Sequence, residues 1–391
     1  MQVNYKILDI MLKLVRFGMG IDKETDFSGV DIAPLMPQVY ALAKHHDVAH
    51  IVAYAVKQLK IVCDEETAKK LDKQYLIAIF RYQHQRYDLS TIINTFEESG
   101  IAHIPLKGSV LRRYYPQEWM RTGCDIDILV KVEEVERARD ILISKHGYKS
   151  GYDTTHDISL DSPGGTHIEL HFDLMEDDHY GEDIVLKDFF SDATVKAGRK
   201  YHFESTPEMF VYYHISHMAK HFVNGGCGIR PFLDLYVINS MIDYDKDRLN
   251  DLLERGGHLR FFKIVQSLSC AWFSNGSLDA LGREVADFVL TGGTYGNVEN
   301  MVAIKATKKG SRLGYIIHRI FIPYNELIYS YPSLKGKKVL TPVYWVRRFF
   351  RIVFSKRLKY SFKEIKEGVS VDKDKSDRVA KFFSDIGLQI K

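Results

Sequence analysis

Apolar residues recur at helical spacing along the first hundred residues of the chain. The opening segment MQVNYKILDIMLKLVRFGMGI is interrupted at this spacing by Lys6, Asp9, Lys13 and Arg16, which predicts an amphipathic helix and not a cleaved leader peptide. Residues 48–59 predict another helix. We therefore expect this part of the chain to be helical.

A long stretch without glycine or proline runs from residue 65 to residue 98. It is rich in Lys, Gln, Arg, Leu and Ile, which predicts one long helix or a closely packed pair of helices. Gly100 is expected to end this helical stretch.

After Gly100 the pattern changes to short apolar runs and strict alternation. Residues 101–106 form an apolar run, while DIDILV (125–130) and HIELHF (167–172) alternate as strands do. A helix is expected at 132–147 and a further strand at 194–203. Together these elements predict a compact unit of helices and strands about 100 residues long.

The rest of the chain returns to a helical pattern. Ser-Thr-Pro-Glu at 205–208 combines a capping residue with a proline in the first turn, which predicts the start of a helix. Glycines cluster at 224–226, 256–257 and 292–293, where we expect breaks between helices.

Composition narrows the class of protein. A length of 391 residues suggests two or three domains, and 54 Lys and Arg against 51 Asp and Glu give a net charge of +3 that does not require a polyanionic partner. No run of about 18 uncharged apolar residues occurs. The four cysteines form no Cys-x-x-Cys pair, which favours reduced thiols and a cytoplasmic location. They are Cys63, Cys124, Cys227 and Cys270.

Three carboxylates in the two alternating strands are candidate metal ligands. Because alternate strand residues share a face, Asp125 and Asp127 are expected side by side, and a neighbouring strand could add Glu169, flanked by His167 and His171. Adjacent carboxylates repel unless a cation lies between them, and such oxygen ligands suit Mg²⁺ or Mn²⁺. Three carboxylates can hold the two metal ions used for in-line phosphoryl displacement. The pattern Asp-x-Asp alone leaves open an ordinary solvated strand face.

The segment IPLKGS at 104–109 predicts a strand that enters a turn, followed by a helix at 110–115. Gly108 allows close approach of the backbone, Ser109 can donate its hydroxyl, and the free N–H groups at a helix start favour phosphate. A Gly-Ser pair alone is usually an ordinary turn. The order strand, Gly-Ser, helix and then a strand with Asp-x-Asp is much rarer.

This order resembles the pattern of the nucleotidyltransferase superfamily that includes polymerase β and the aminoglycoside nucleotidyltransferases. The chain is more closely similar to the bacterial family labelled "uncharacterised nucleotidyltransferase". The similarity runs through GIAHIPLKGSVLRRYYP, RTGCDIDILVKVEEVERARDIL, THIELHFDL, HISHMAKHF and GIRPFLDL to the basic end with LTPVYWVRR. The fifteen residues between Ser109 and Asp125 form a slightly longer spacer than the superfamily pattern has.

The resemblance implies an α+β fold in which a small mixed-sheet nucleotidyltransferase core is flanked by N-terminal and C-terminal helical regions. The N-terminal helical region would span 1–100 and the core 101–205. A helical domain at 206–310 would close the cleft, and a basic, aromatic extension would occupy 311–391.

The resemblance also implies roles for individual residues. Asp125, Asp127 and Glu169 would be the catalytic residues and the ligands of Mg²⁺ (or Mn²⁺), with Glu169 also serving as base for the acceptor hydroxyl. The nucleotide-binding residues would be Lys107, Gly108, Ser109 and Arg121, and the expected nucleoside triphosphate is ATP.

Three histidines, His214, His217 and His221, follow one face of the predicted helix at 207–222. Their spacing permits a transition-metal site completed by Asp234, or packed histidines at a domain interface. We favour an intermediate interpretation, in which this face lines the cleft opposite the active strands. The candidate cleft or acceptor contacts are His171, His217, His221, Arg230 and Asp234.

Aromatic and basic residues alternate between positions 344 and 360. Such a mixture suits nucleic acid, an anionic membrane surface, or a helix whose aromatic face packs on the body of the protein. The near-neutral total charge and the lack of an RNA-binding motif favour the packed helix. Nucleic acid is therefore not an expected partner, and peripheral membrane contact is the less favoured alternative.

The leading hypothesis is an enzyme that moves a nucleoside monophosphate from a nucleoside triphosphate to a hydroxyl of a small molecule, saccharide or protein, releasing pyrophosphate. One alternative is a non-catalytic relative that binds nucleotide or a partner as a scaffold. Another is an RNA-modifying nucleotidyltransferase, which would bind RNA in a salt-sensitive manner.

Overall fold

The computed structural model describes residues 4–175, 184–294, 300–302, 304, 321–324, 327–328, 331–334, 336–353 and 373–389. It confirms the α+β class: a mixed five-stranded sheet is flanked by helices. The strands are β1 (His103–Pro105), β2 (Asp125–Val130), β3 (Lys149–Asp153), β4 (Asp157–Asp161), β5 (His167–His171), β6 (Thr194–Val195) and β7 (Phe203–Glu204).

The helices before and within the sheet region are α1 (Tyr5–Gly18), α2 (Met36–His45), α3 (Ala49–Gln58), α4 (Glu65–Ser99), α5 (Lys107–Leu111), α6 (Val135–His146) and α7 (Phe189–Asp192). Those after it are α8 (Pro207–Val223), α9 (Arg230–Met241), α10 (Lys246–Arg255), α11 (Leu259–Phe273), α12 (Ala280–Gly292), α13 (Thr341–Val353) and α14 (Lys373–Asp385). Short 3-10 turns occupy Ala33–Leu35, Arg112–Tyr114, Glu118–Met120, Val132–Glu134, Leu186–Asp188, Pro332–Leu334 and Lys338–Leu340. Within the described ranges, no helix is both long and apolar enough to cross a membrane.

The expected helix near residues 65–98 is the single helix α4. The Asp64 side chain caps its start by accepting from the backbone N–H of Thr67, and Gly100 ends it with a left-handed φ of +70°. That conformation favours glycine because a Cβ would crowd the backbone. The prediction of Gly100 as the end of the helical stretch is thus confirmed.

The sheet has the strand order β1-β2-β5-β4-β3. Strands β2 and β5 are parallel neighbours at its centre, whereas β1 with β2, β4 with β5 and β3 with β4 pair in antiparallel fashion. In the β2–β5 register Asp127 lies opposite Glu169 and Asp125 lies opposite His167. The prediction that these acidic residues come from neighbouring strands is confirmed by this register.

One face of the sheet is covered by helices α4 and α6. The buried residues Ile126, Ile128 and Val130 of β2 belong to a core cluster with Phe96 of α4 and Leu142 of α6. The alternation in DIDILV therefore assigns the two faces as predicted, with the apolar residues inside and the aspartates on the opposite face.

Two parts of the core differ from the sequence-based expectation. The hairpin β3–β4 was not expected: KSGYD lacks an apolar alternation, and DISLD alternates over only five residues. Residues 194–203 do not form one strand. They give the hairpin β6–β7, in whose connection Gly198 adopts a φ of +76°.

The expected helix at 110–115 is also placed wrongly. Helix α5 begins three residues earlier, at Lys107, and passes into the 3-10 turn Arg112–Tyr114. Leu106 is extended and supplies the residue before the helix. The Lys-Gly-Ser segment is therefore the first turn of the helix itself and not a turn that precedes it.

Helices from both ends of the chain share one apolar core. Buried residues of α1 and α3, such as Leu14 and Ile51, belong to the same cluster as Phe222 of α8 and Phe261 of α11. This cluster also contains Leu106 and Leu111 around the first turn of α5. The start of α5 is therefore held between the sheet and the helical body.

Helix α13 turns only part of its aromatic surface inward. The Trp345 Nε1 atom donates to the Ile322 carbonyl at 2.7 Å, and Tyr344 packs against Tyr331. Phe349 and Phe350, in contrast, remain 62% and 53% exposed. The first pair thus packs on a separate small cluster from residues 322–334, and the second pair is exposed, which differs from the expected packing on the body of the protein. Positions 354–360 lie outside the described residues.

Two histidines join strand β1 to the β6–β7 hairpin. His103 and His202 form a backbone bridge, and their ring centroids are 5.0 Å apart. Both are buried. Burial, followed by the charge of the other histidine, lowers the pKa of His202 to about 4, and burial also lowers the pKa of His103.

This pair predicts a loss of stability in mild acid. The pKa of a histidine in the unfolded chain is 6.5, so protons bind the unfolded chain first as the pH falls below that value. Between pH 6.5 and about pH 4, His202 should reduce the free energy of unfolding by up to about 1.4 kcal/mol per pH unit. Urea denaturation of the wild type and His202→Gln across this range measures the contribution. Equal pH slopes for the two proteins would contradict the prediction.

Candidate active site

The face of the sheet opposite α4 and α6 carries a compact cluster of Asp127, Glu169 and His171. One potential metal-binding atom from each of the three side chains lies within 4.8 Å of the other two. The parallel register brings Asp127 beside Glu169, and His171 follows two residues later on the same face of β5. Among the described residues no other group of His, Cys, Asp and Glu meets this distance.

Lys107 reaches into this cluster from the start of α5. Its Nζ atom lies 2.6 Å from Asp127 Oδ1, and its backbone has a φ of +46°. Burial alone would lower the pKa of Lys107, but the carboxylates of Asp127 and Asp125 raise it well above its usual range. Such a φ is uncommon for a residue with a side chain. The fold thus tolerates an unfavourable backbone conformation where it places a cation against the acidic strands.

Asp127 receives a second donor from His171. The His171 Nε2 atom lies 3.0 Å from Asp127 Oδ1 and 3.4 Å from Glu169 Oε2. Burial opposes ionisation of Asp127, but the charge of Lys107 and the hydrogen bond from His171 hold its pKa well below the usual range. Burial also opposes protonation of His171, yet its hydrogen bonds to Asp127 and Glu169 raise the pKa of its imidazole. Asp127 is therefore a buried, fully ionised centre of negative charge.

Asp125 lies on the same face but in a different environment. It is half-buried at the start of β2. Burial and then repulsion from Asp127 raise the pKa of Asp125, with a smaller contribution from Glu169. The two aspartates of DIDILV thus differ in electrostatic character although they stand two residues apart.

Arg121 is fixed behind the first turn of α5. Its Nε atom donates to Asp234 Oδ1 at 2.7 Å, and the Tyr115 hydroxyl donates to the same oxygen at 2.6 Å. A Cβ added to Gly108 would lie 3.1 Å from Arg121 Nη1, so the absence of a side chain lets the guanidinium lie against the helix start. Asp234 therefore positions Arg121.

Arg230 is held in a similar manner by a residue from the N-terminal helices. Its Nη1 atom donates to Asp47, which also accepts from the Thr122 hydroxyl at 2.9 Å. Asp47 and Tyr115 were not predicted from the sequence, since each is a lone polar residue distant in sequence from the residues that it contacts. Asp47 did carry one local signal, the segment His-His-Asp between two predicted helices.

A cavity of about 300 Å³ opens between the acidic strands and helix α8. The predicted site residues that line it are Lys107, Gly108, Arg121, Asp125, Asp127, Glu169, His217, His221, Arg230 and Asp234. His171 is buried beside the carboxylates, and Ser109 lines a different cavity on the other side of α5.

The histidines of α8 do not assemble with Asp234 into a metal-binding group within the described residues. His214 lies within hydrogen-bonding distance of the Pro231 carbonyl, at 3.0 Å, and the rings of His217 and His221 meet edge to face with centroids 4.5 Å apart. Burial, followed by the charges of His221 and Lys107, lowers the pKa of His217 well below its usual value. His217 is thus a neutral ring on the cavity wall.

Comparison with known families gives one match. The model of the family described as "Uncharacterised nucleotidyltransferase" matches residues 35–274, more than half of the chain. The chain belongs to this family. No curated protein matches it, and no solved structure does. The region shared with other uncharacterised nucleotidyltransferases contains the whole five-stranded sheet, helix α8 and every residue of the cluster around Asp127.

Proposed function

We propose that this member of the family is a Mg²⁺- or Mn²⁺-dependent enzyme that transfers a nucleoside monophosphate from a nucleoside triphosphate to an acceptor hydroxyl. The observation that carries the proposal is the placement of Lys107, at the start of α5, directly on the carboxylate of Asp127 beside Glu169. In the proposed enzyme the start of α5 would bind phosphate beside the metal ligands in the same 300 Å³ cavity.

The donor set fits a divalent cation. Asp127 and Glu169 offer oxygen ligands and His171 offers a nitrogen, all within 4.8 Å of one another. Lys107 and His171 hold Asp127 ionised, so it can serve as an anionic ligand without first losing a proton. Asp125, on the same strand face, would supply a further oxygen ligand. When bound, the metal ions would neutralise charge on the phosphates of the nucleotide.

The residues of the chain have distinct tasks in the proposed transfer. The acceptor oxygen forms a bond to the α-phosphorus while the bond from that phosphorus to the pyrophosphate oxygen breaks, and pyrophosphate leaves with the electron pair. Glu169 accepts the proton of the acceptor hydroxyl. Lys107 and the fixed guanidinium of Arg121 stabilise the negative charge of the departing pyrophosphate.

The wall opposite the carboxylates would receive the nucleoside or the acceptor. His217, His221 and Arg230 line it from α8 and α9. A cavity of about 300 Å³ is at the lower end of the range for small-ligand sites. We propose a nucleoside triphosphate as the donor, with ATP as the first candidate, and an acceptor that reaches the carboxylates from the open side of the cavity.

Calorimetric titration with ATP, GTP, CTP and UTP, with and without Mg²⁺, tests this proposal. Wild-type protein should bind one of these nucleotides only in the presence of the metal ion. The double variant Asp125→Asn/Asp127→Asn should lose this binding, because it removes two of the proposed metal ligands.

A matched control makes the same two Asp-to-Asn changes at positions away from the site. Asp140→Asn/Asp153→Asn alters two exposed aspartates near α6 and β3, and it should bind nucleotide as the wild type does. If folded wild-type protein binds none of the four nucleotides at millimolar concentration, the enzyme proposal fails and the scaffold hypothesis replaces it. A screen of acceptors with labelled nucleotide would follow a positive result.

A further inference from the structure

A second cavity lies on the other side of α5. It has a volume of about 620 Å³, twice that of the carboxylate cavity. Helix α4, the segment 105–118 and the β6–β7 hairpin form most of its walls, and Ser109 and Val110 face it from α5. The proposed nucleotide site makes no use of this cavity.

Positive charge dominates the walls of this cavity. Five basic side chains but only two carboxylates, Glu118 and Glu204, line it. The basic residues are Arg86, Arg112, Arg113, Lys196 and Arg199. Glu204 is shared, because Arg113 and Lys196 both donate to its Oε1 atom, at 2.8 and 2.9 Å. The carboxylates present therefore leave an excess of positive charge.

Arg112 shows this imbalance most directly. It is only 5% exposed, its Nε atom donates to the Gly108 carbonyl at 3.2 Å, and its Nη2 atom donates to the Gln85 side chain at 2.9 Å. Both acceptors are neutral oxygens, and no carboxylate of the described residues forms an ion pair with Arg112. Burial, followed by the charge of Arg121, lowers the pKa of Arg112 to about 10 although the charge of Glu118 opposes this, so the guanidinium is still charged at neutral pH. A buried cation that no carboxylate contacts directly is unfavourable unless an anion approaches it.

We infer that this cavity is a binding site for a small polyanion, a molecule with at least two phosphoryl or carboxylate groups. Such a ligand would compensate Arg112 at the inner end of the cavity and Arg113 and Arg199 nearer to solvent. Arginine suits this task because its planar donors match the oxygen geometry of both groups.

The site is also connected to the start of α5. Arg112 lines both cavities and donates to the carbonyl of Gly108, which itself lines the carboxylate cavity. An anion bound to Arg112 would therefore act directly on the residue that holds the first turn of α5. Binding at this site does not depend on the proposed transferase activity, and either can fail without the other.

Calorimetric titration of the full chain with inorganic pyrophosphate and with citrate tests the inference. The buffer should be freed of divalent ions on a chelating resin, so that the carboxylate site does not contribute metal-dependent binding. At least one probe should bind, with an affinity that falls as salt is added. Pyrophosphate alone would indicate a phosphoryl ligand, and citrate alone would indicate a carboxylate ligand.

The double variant Arg113→Gln/Arg199→Gln should weaken this binding by roughly tenfold or more, because it removes two charged donors. Arg248→Gln/Arg255→Gln is the matched control, because the side chains of both arginines are 44% exposed, close to the 41% of Arg113. Arg248 pairs with a carboxylate of α7, and Arg255 pairs with a carboxylate of α10. This control should bind as tightly as the wild type. Equal affinity of the cavity variant and the control, or no binding of either probe at millimolar concentration, would overturn the inference.

Discussion

Replacing Asp127 with asparagine is expected to abolish Mg²⁺-dependent nucleotide binding and to lower the free energy of unfolding by about 3–5 kcal/mol. Asp127 is 3% exposed and its Oδ1 atom meets Lys107 Nζ at 2.6 Å and His171 Nε2 at 3.0 Å. The substitution removes the negative charge but leaves the half-buried cation of Lys107, whose side chain is 21% exposed, without its counter-charge. Breaking one half of a buried ion pair is costly for this reason.

Asp125→Asn is the matched comparison, since it makes the same chemical change two residues away on the same strand face. Asp125 experiences repulsion from Asp127 and Glu169, and an amide removes that repulsion. We expect this variant to lose Mg²⁺-dependent nucleotide binding as well, but with a free energy of unfolding equal to or above that of the wild type. Urea denaturation and calorimetry measure the two properties. Equal destabilisation by the two substitutions would show that the electrostatic assignment is wrong.

A second large effect is expected at Asp234, outside the acidic strands. Asp234 is 1% exposed and pairs with Arg121, whose side chain is 11% exposed. Asp234→Asn should therefore lower the free energy of unfolding by about 3–5 kcal/mol, because a buried guanidinium loses its counter-charge. The same change should weaken nucleotide binding, since Arg121 is then no longer fixed against Gly108.

Tyr115→Phe separates the ion pair from the hydrogen bond. It removes the hydroxyl that donates to Asp234 at 2.6 Å and leaves the contact with Arg121 intact. The free energy of unfolding should fall by about 2 kcal/mol, the usual contribution of a hydrogen bond to a charged group. Thermal and urea denaturation of both variants provide the comparison. If Tyr115→Phe were as harmful as Asp234→Asn, the buried charge would not be the dominant interaction.

Local patterns in the chain predicted several elements well. The alternation in DIDILV identified which residues enter the core, because a strand points successive side chains to opposite faces whatever it packs against. The uninterrupted segment before Gly100 indicated the helical stretch that is the single helix α4, with one helix or a pair left open, and the Ser-Thr-Pro-Glu start indicated α8 with its three histidines. These predictions depend on neighbours in sequence, so the sequence was sufficient.

Two elements with weak local signals in the sequence differ from the prediction. Strand β3 contains a glycine and is exposed throughout, while the short strand β4 places Ile158 and Leu160 in the core and pairs with β5. Helix α13 exposes Phe349 and Phe350, although their aromatic character suggested a packed face. Whether each of these segments is buried or exposed depends on which distant parts of the chain pack against it.

The detailed chemistry of the candidate site was decided by tertiary structure. The sequence indicated that Asp127, Glu169 and Lys107 belong together, but the β2–β5 register and the position of α5 place Lys107 and His171 on Asp127. Arg121 meets Asp234 and Arg230 meets Asp47 across 113 and 183 residues of sequence. Periodicity reports only the side of an element on which a residue lies. Its partner is determined by how distant elements pack, and with it the charge that each buried group must balance.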